Sequence, residues 1–182
     1  VSSVDTGEYE NAIELNAVQR ANPEMQKRVY NAIRALAESS RNTIVSIHDH
    51  GAGGHLNCLS ELVESTGGVI YLNRLPVGDP TLSAREIIGN ESQERMGLVL
   101  KPGDVDELVR IAERERAPIY VIGKITGDHR FVFVDEETGE KPMDLDLVDM
   151  FGKPPQTVMN DRTVSSDYDG IPYHIEELLA YV

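Results

Sequence analysis

The chain has 182 residues, and its 17 Lys and Arg against 31 Asp and Glu give a formal net charge of -14. That balance argues against a nucleic-acid partner, because binding along a phosphate backbone needs clustered cations. No apolar run approaches the roughly 20 residues of a membrane helix, and nothing at the N-terminus reads as a signal peptide. The single cysteine, Cys58, cannot close an internal disulfide, so a reduced, cytoplasmic compartment is expected.

Val1 stands where Met would open a complete chain, and the polar run Ser2 to Glu8 follows it. Residues 1–10 read as a tail or a preceding linker, cut from something longer. Asn22-Pro23-Glu24 then marks a helix start, with Asn as cap, Pro in the first turn and an acid near the positive end of the dipole. Met25, Val29, Ile33, Leu36 and Ala37 recur at helical spacing. Thr43 to Ile47 is a short β-branched strand, Leu56 to Glu64 is helical up to Gly67-Gly68, and Val69 to Leu72 is the next strand.

Ser83 and Glu86 match a capping box, which predicts a helix through Ile87 and Ile88. Met96 to Leu100 reads as a strand, and Asp104 repeats the capping pattern ahead of a helix whose buried stripe is Leu108, Val109, Ile111 and Ala112. Pro118 ends that helix before a predicted strand Ile119 to Gly123. Phe131 to Val134 and Lys141 to Asp144 read as a hairpin across Glu136 to Gly139. After Pro154-Pro155 the composition turns polar and aperiodic, so 158–182 reads as a linker or the start of a next domain. Strands alternate with helices over 11–157, which indicates an α/β or α+β domain with a mixed sheet.

The stretch Ser46 to Cys58, SIHDHGAGGHLNC, sets His-Asp-His beside three glycines between a strand and a helix. Bare backbone N–H groups at a helix start suit an anion such as phosphate, which makes Gly51, Gly53 and Gly54, with His48, candidates for a phosphate loop. A carboxylate just before it, Asp49, suits Mg²⁺. The same glycines also fit a purely structural turn. Transition-metal binding by His48, His50 and His55 is disfavoured, because no cysteine partner has suitable spacing. Asn90 to Arg95, NESQER, is a second polar cluster between a helix and a strand, and Gln19-Arg20 is a third.

Five collinear segments carry a resemblance: AVQRANPEMQKR, IHDHGAGG, EIIGNESQERM, RERAPIYVIGKIT and FGKPPQT, spread over residues 16–157. Together they resemble phosphoribosylformylglycinamidine synthase. More narrowly, they are similar to the first of the two C-terminal-type modules in that family's long, single-chain form. The resemblance implies a fold like the C-terminal domain of aminoimidazole ribonucleotide synthase, with a mixed, largely antiparallel sheet covered by helices. It also implies a role in an ATP-dependent ligase of purine biosynthesis, in which formylglycinamide ribonucleotide becomes formylglycinamidine ribonucleotide with glutamine-derived ammonia.

By that resemblance, Asp49 matches a Mg²⁺-binding aspartate, while Gln19, Glu91, Ser92 and Gln93 match substrate contacts. ATP would be bound mainly by a domain outside this chain. An ATP domain and a glutaminase domain would be its partners, and a homodimer of the fragment is allowed. Without those domains the fragment is expected to fold but not to catalyse. Two alternatives stay open: a non-catalytic, nucleotide-holding module of the same enzyme, and a domain of a related ATP-dependent synthetase. Three positions depart from the motifs: Ala21 after VQR, and His50 and His55 where apolar or amide residues are more usual.

Overall fold

The computed structural model describes residues 22–91, 93–153, 155–165, 167 and 170. A first compact unit ends at Gly152 and a second begins at Lys153. In the second unit the described residues form no helix or strand.

The first unit runs α1 (Pro23–Ala37), β1 (Ile44–Asp49), α2 (Gly54–Leu62), β2 (Gly68–Tyr71), α3 (Ala84–Ile88), β3 (Met96–Leu100), α4 (Val105–Arg114), β4 (Gly123–Ile125), β5 (Arg130–Val134), β6 (Met143–Asp146) and α5 (Leu147–Phe151). Single 3₁₀ turns follow β2 and precede α4. The start signals act as read. The Asn22 side chain accepts from the N–H of Met25 at 3.0 Å, and Ser83 and Glu86 form a reciprocal capping box at α3. Asp104 departs from its expected role: it makes no side-chain cap, and its carboxylate pairs with Arg41.

The strands form two sheets among the described residues, not one. β1 and β3 make an antiparallel pair, and β4-β2-β5-β6 make a four-stranded sheet. Within the larger sheet β2 and β5 run parallel, while the other pairings are antiparallel. The expectation of a mixed, largely antiparallel arrangement therefore holds, but it is shared between two ladders. The predicted strand at 119–123 is also displaced, since only Gly123–Ile125 pairs, against β2. Ile119 to Ile122 has the side chains a strand favours but lacks a neighbouring ladder, and Tyr120 and Val121 are exposed. Propensity without a partner does not make a strand.

Two apolar clusters hold the elements. Cys58 and Leu59 from α2 pack with Val63, Ile70, Ile88, Phe131, Phe133 and Leu147. Ala32 and Leu36 on α1 pack with Leu108, Ile111 and Ala112 on α4, against Ile44 and Leu100 of the first ladder. Phe131 and Phe133 are fully buried, project from the same face of β5, and meet edge to face with centroids 5.2 Å apart. Truncating either ring opens a cavity that rigid neighbours cannot refill. Phe131→Ala should therefore cost about 3–5 kcal/mol, whereas Val121→Ala at an exposed position should stay within about 0.5 kcal/mol. Urea unfolding midpoints of the two variants check the contrast.

Candidate functional site

The register of the small ladder assembles the site. β1 and β3 pair so that Asp49 lies opposite Met96, the last residue of β1 against the first of β3. One step beyond, the N–H of His50 donates to the Arg95 carbonyl at 3.1 Å. In an antiparallel pair, the loop leaving one strand and the loop entering the other share an end. The glycine loop 50–53 and the loop carrying Glu91, Gln93 and Arg95 are therefore neighbours, although about 40 residues separate them in sequence. The N–H of Gly53 donates to Glu91 Oε1 across them at 3.4 Å.

The three glycines do different work. Gly54 takes φ +60°, and an added Cβ would lie 2.3 Å from the Asn90 carbonyl oxygen and 2.6 Å from the Gly89 carbonyl carbon. Its bareness is required by a backbone of the same chain. Gly53 takes φ +82° and caps α2 without a side-chain bond. Gly51 faces open space, with nothing within 4 Å of the point a Cβ would occupy. Only Gly51 keeps the open geometry that a phosphate loop asks for, since a Cβ on Gly53 would lie 3.0 Å from the Asn57 Cβ.

Asp49 ends β1 with its side chain 75% exposed. Among the described residues, no group of three or more His, Cys, Asp or Glu comes together to hold a metal ion. A single exposed carboxylate is a donor of the kind Mg²⁺ takes, since that ion retains several waters and bridges to phosphates through one or two carboxylates. His48 is occupied elsewhere. Its Nδ1–H donates to the Asp49 carbonyl at 3.0 Å and its Nε2 pairs with Glu61 on α2. Those contacts tie α2 to β1 and leave no ring nitrogen for the loop. Gln19 and Ser92 lie outside the described residues, so only Glu91 and Gln93 of the expected substrate set are located.

A feature that sequence reasoning missed lies beneath the loop. His50 and His55 are 5% and 3% exposed. His50 Nε2 and His55 Nδ1 are 2.9 Å apart, and Arg95 Nη1 is 3.2 Å from His55 Nε2. The rings meet edge to face, at 87°. Burial, reinforced by Arg95, pulls the His50 pKa down to about 4. Burial, with His50 and then Arg95, pulls His55 down to about 3. The signal available in the sequence was the departure of both histidines from the family pattern. With Arg95 they line a cavity of about 840 Å³ whose other walls include Leu59, Ile70 and Leu108.

A family model described as AIR synthase related protein, C-terminal domain, matches residues 1–136. The chain belongs to that family. Phosphoribosylformylglycinamidine synthase of Homo sapiens is 40% identical over 166 residues, covering 82% of this chain and 12% of the human protein. The chain thus spans about an eighth of that relative's length. Thermotoga maritima PurL complexed with ATP superposes with a TM-score of 0.67 at 20% identity, covering 90% of this chain and 29% of that one. The same protein complexed with FGAR superposes with a TM-score of 0.62 at 22% identity, covering 81% and 24%. At these identities the structural likeness speaks for the fold, which is that of an AIR synthase C-terminal-type domain.

Two outcomes follow from this geometry. Gly54→Ala meets backbone on one side and a left-handed φ on the other, so it should destabilise by at least about 1–3 kcal/mol; Gly51→Ala should be nearly silent, as denaturant titration of each would record. The histidine pair also sets a pH response. The folded pKa values lie below the ordinary 6.5, so above about pH 6.5 neither state is protonated and this contribution is complete. As pH falls towards about 4, the unfolded chain takes up protons that the folded chain refuses, and stability drops by up to about 1.4 kcal/mol per pH unit per histidine. Urea midpoints at about pH 7 and about pH 5 should show the drop, and the double variant H50Q/H55Q should flatten it.

Proposed function

We propose that this AIR synthase C-terminal-type domain supplies the substrate and metal contacts of phosphoribosylformylglycinamidine synthase. In that reaction ATP activates the glycinamide carbonyl oxygen of formylglycinamide ribonucleotide, and ammonia from glutamine displaces phosphate to leave an amidine. The observation that carries the reading is the juxtaposition of an exposed Asp49, the open turn at Gly51, and Glu91 bonded to Gly53 at 3.4 Å. The names of the 40% identical relatives support it, as does the FGAR complex of a fold neighbour.

In this reading Asp49 would hold Mg²⁺, whose charge would offset that of a phosphate facing a chain of net -14. The open turn at Gly51 is left for the phosphate, while Glu91 and Gln93, with Ser92 and Gln19, hold the polar ligand. Three of the phosphate-loop expectations change: the Gly53 N–H is donated to Glu91, and Gly54 and His48 are retained for loop packing and for joining α2 to β1. An ATP-handling domain would complete the cleft on the outer face of β1, where Val45 and Ile47 are exposed beside Asp49. A glutaminase would supply the ammonia. The site sits in the cytoplasm in this reading, as purine biosynthesis requires.

The decisive experiment places Asp49→Asn in the native polypeptide that carries this sequence. The neutral amide binds Mg²⁺ poorly, so ATP- and ammonia-dependent turnover should fall by about 100-fold or more, with a raised Mg²⁺ requirement. Turnover within about threefold of the parent would overturn the assignment. Calorimetry with formylglycinamide ribonucleotide and with ATP separates the runner-up, because a nucleotide-holding module would bind ATP alone. The 182-residue chain by itself should show no turnover.

A further inference from the structure

We infer that Arg95, His55 and His50 form a positioning relay that clamps the glycine loop to the loop of Glu91 and Gln93 and so sets the affinity for formylglycinamide ribonucleotide, an inference that rests on the substrate reading above. The direction of the relay follows from donor chemistry. Arginine can only donate, so the 3.2 Å contact makes His55 Nε2 an acceptor. The proton of His55 is then on Nδ1, which donates to His50 Nε2 at 2.9 Å. His50 in turn carries its proton on Nδ1, where it is buried and finds no partner. One fixed charge therefore sets the tautomers of both rings.

The placement of the relay matters more than its presence. Arg95 lies in the loop that holds Glu91 and Gln93, His50 follows Asp49 directly, and His55 is in the first turn of α2, just after the glycines. The three residues thus join the start and end of the glycine loop to the facing loop. A second side-chain tie between these loops, Gly53 to Glu91, is exposed and 3.4 Å long, so water competes with it. The relay is shielded from that competition by burial. Gly54 against Asn90 limits how close the loops can come, and the relay limits how far they can part. A buried donor left unpaired at His50 Nδ1 is unfavourable, and chain packing alone would be better served by an apolar ring there. Retaining it fits a polar link kept for geometry.

The test uses the native polypeptide that carries this sequence. His55→Leu should raise KM for formylglycinamide ribonucleotide about tenfold or more with kcat within about threefold, the split expected when binding geometry and not chemistry is lost. His55→Gln, whose amide can both accept from Arg95 and donate to His50, should return KM to within about threefold. Amide exchange across residues 51–57, followed by mass spectrometry, should quicken in His55→Leu and in Arg95→Met. Leu36→Ala, a core truncation between α1 and α4, serves as a control for general destabilisation and should leave KM unchanged.

Unchanged exchange in the relay variants overturns the clamp. A Leu36→Ala effect on KM equal to that of His55→Leu overturns its specificity. Faster exchange with unchanged KM, while Asp49→Asn still abolishes turnover, overturns the link to affinity alone. If Asp49→Asn is also without effect, it is the substrate reading that fails. Histidine ¹⁵N shifts provide a readout independent of activity: both rings should be the Nδ1–H tautomer, and an Nε2–H form at His55 would sink the relay directly.

Discussion

Where Gly54 passes Asn90 there is room for a hydrogen atom and nothing larger, because a Cβ would come within 2.3 Å of the Asn90 carbonyl oxygen. That contact, made possible by the antiparallel register of β1 and β3, sets the distance between the two loops of the site. Each candidate ligand group inherits its position from it. Asp49 is the last rung of the ladder, Met96 faces it, and the polar segment before Met96 is carried alongside the glycines. A slip of one residue would turn Asp49 inward and His48 outward. The bulge between Ile44 and Ser46 lies at the far end of the pair, where it leaves the register at the site unbroken.

Much of the fold was legible because the chain marks its helix starts with specific chemistry. Asn22 and the Ser83–Glu86 box act locally, within one turn, and local signals survive into the structure. Asp104 looked identical and behaved differently, because Arg41, distant in sequence, offered its carboxylate a charged partner. The displaced strand at 119–123 has a similar cause. Its side chains suit a sheet, but a strand is defined by a neighbour, and the ladder with β2 covers Gly123–Ile125, with Ile122 adding one carbonyl to the Tyr71 N–H. Division into two ladders was invisible for the same reason.

In the candidate site, the sequence marked two loops that the structure sets side by side, and it blurred the roles of the residues inside them. Asp49 could be picked out because a carboxylate at a strand end beside glycines has a limited chemical repertoire. The glycines looked equivalent, yet one is packed against backbone, one caps a helix and one faces open space. His48, His50 and His55 raise a metal cluster by count, a reading that the missing cysteine spacing already disfavours. Geometry instead sends His48 to Glu61 and joins the other two to Arg95.

Cys58 lies directly under this assembly, 1% exposed, with its Sγ 3.6 Å from the His48 carbonyl and burial pushing its thiol up to about 12. A sulfur so enclosed is almost never the reactive thiolate at neutral pH. Alkylating reagents can therefore reach it only when α2 lifts away from β1. The protein thus carries a single, natural stopwatch for opening at its most constrained junction: the rate at which a thiol reagent adds one label reports how often that junction breathes.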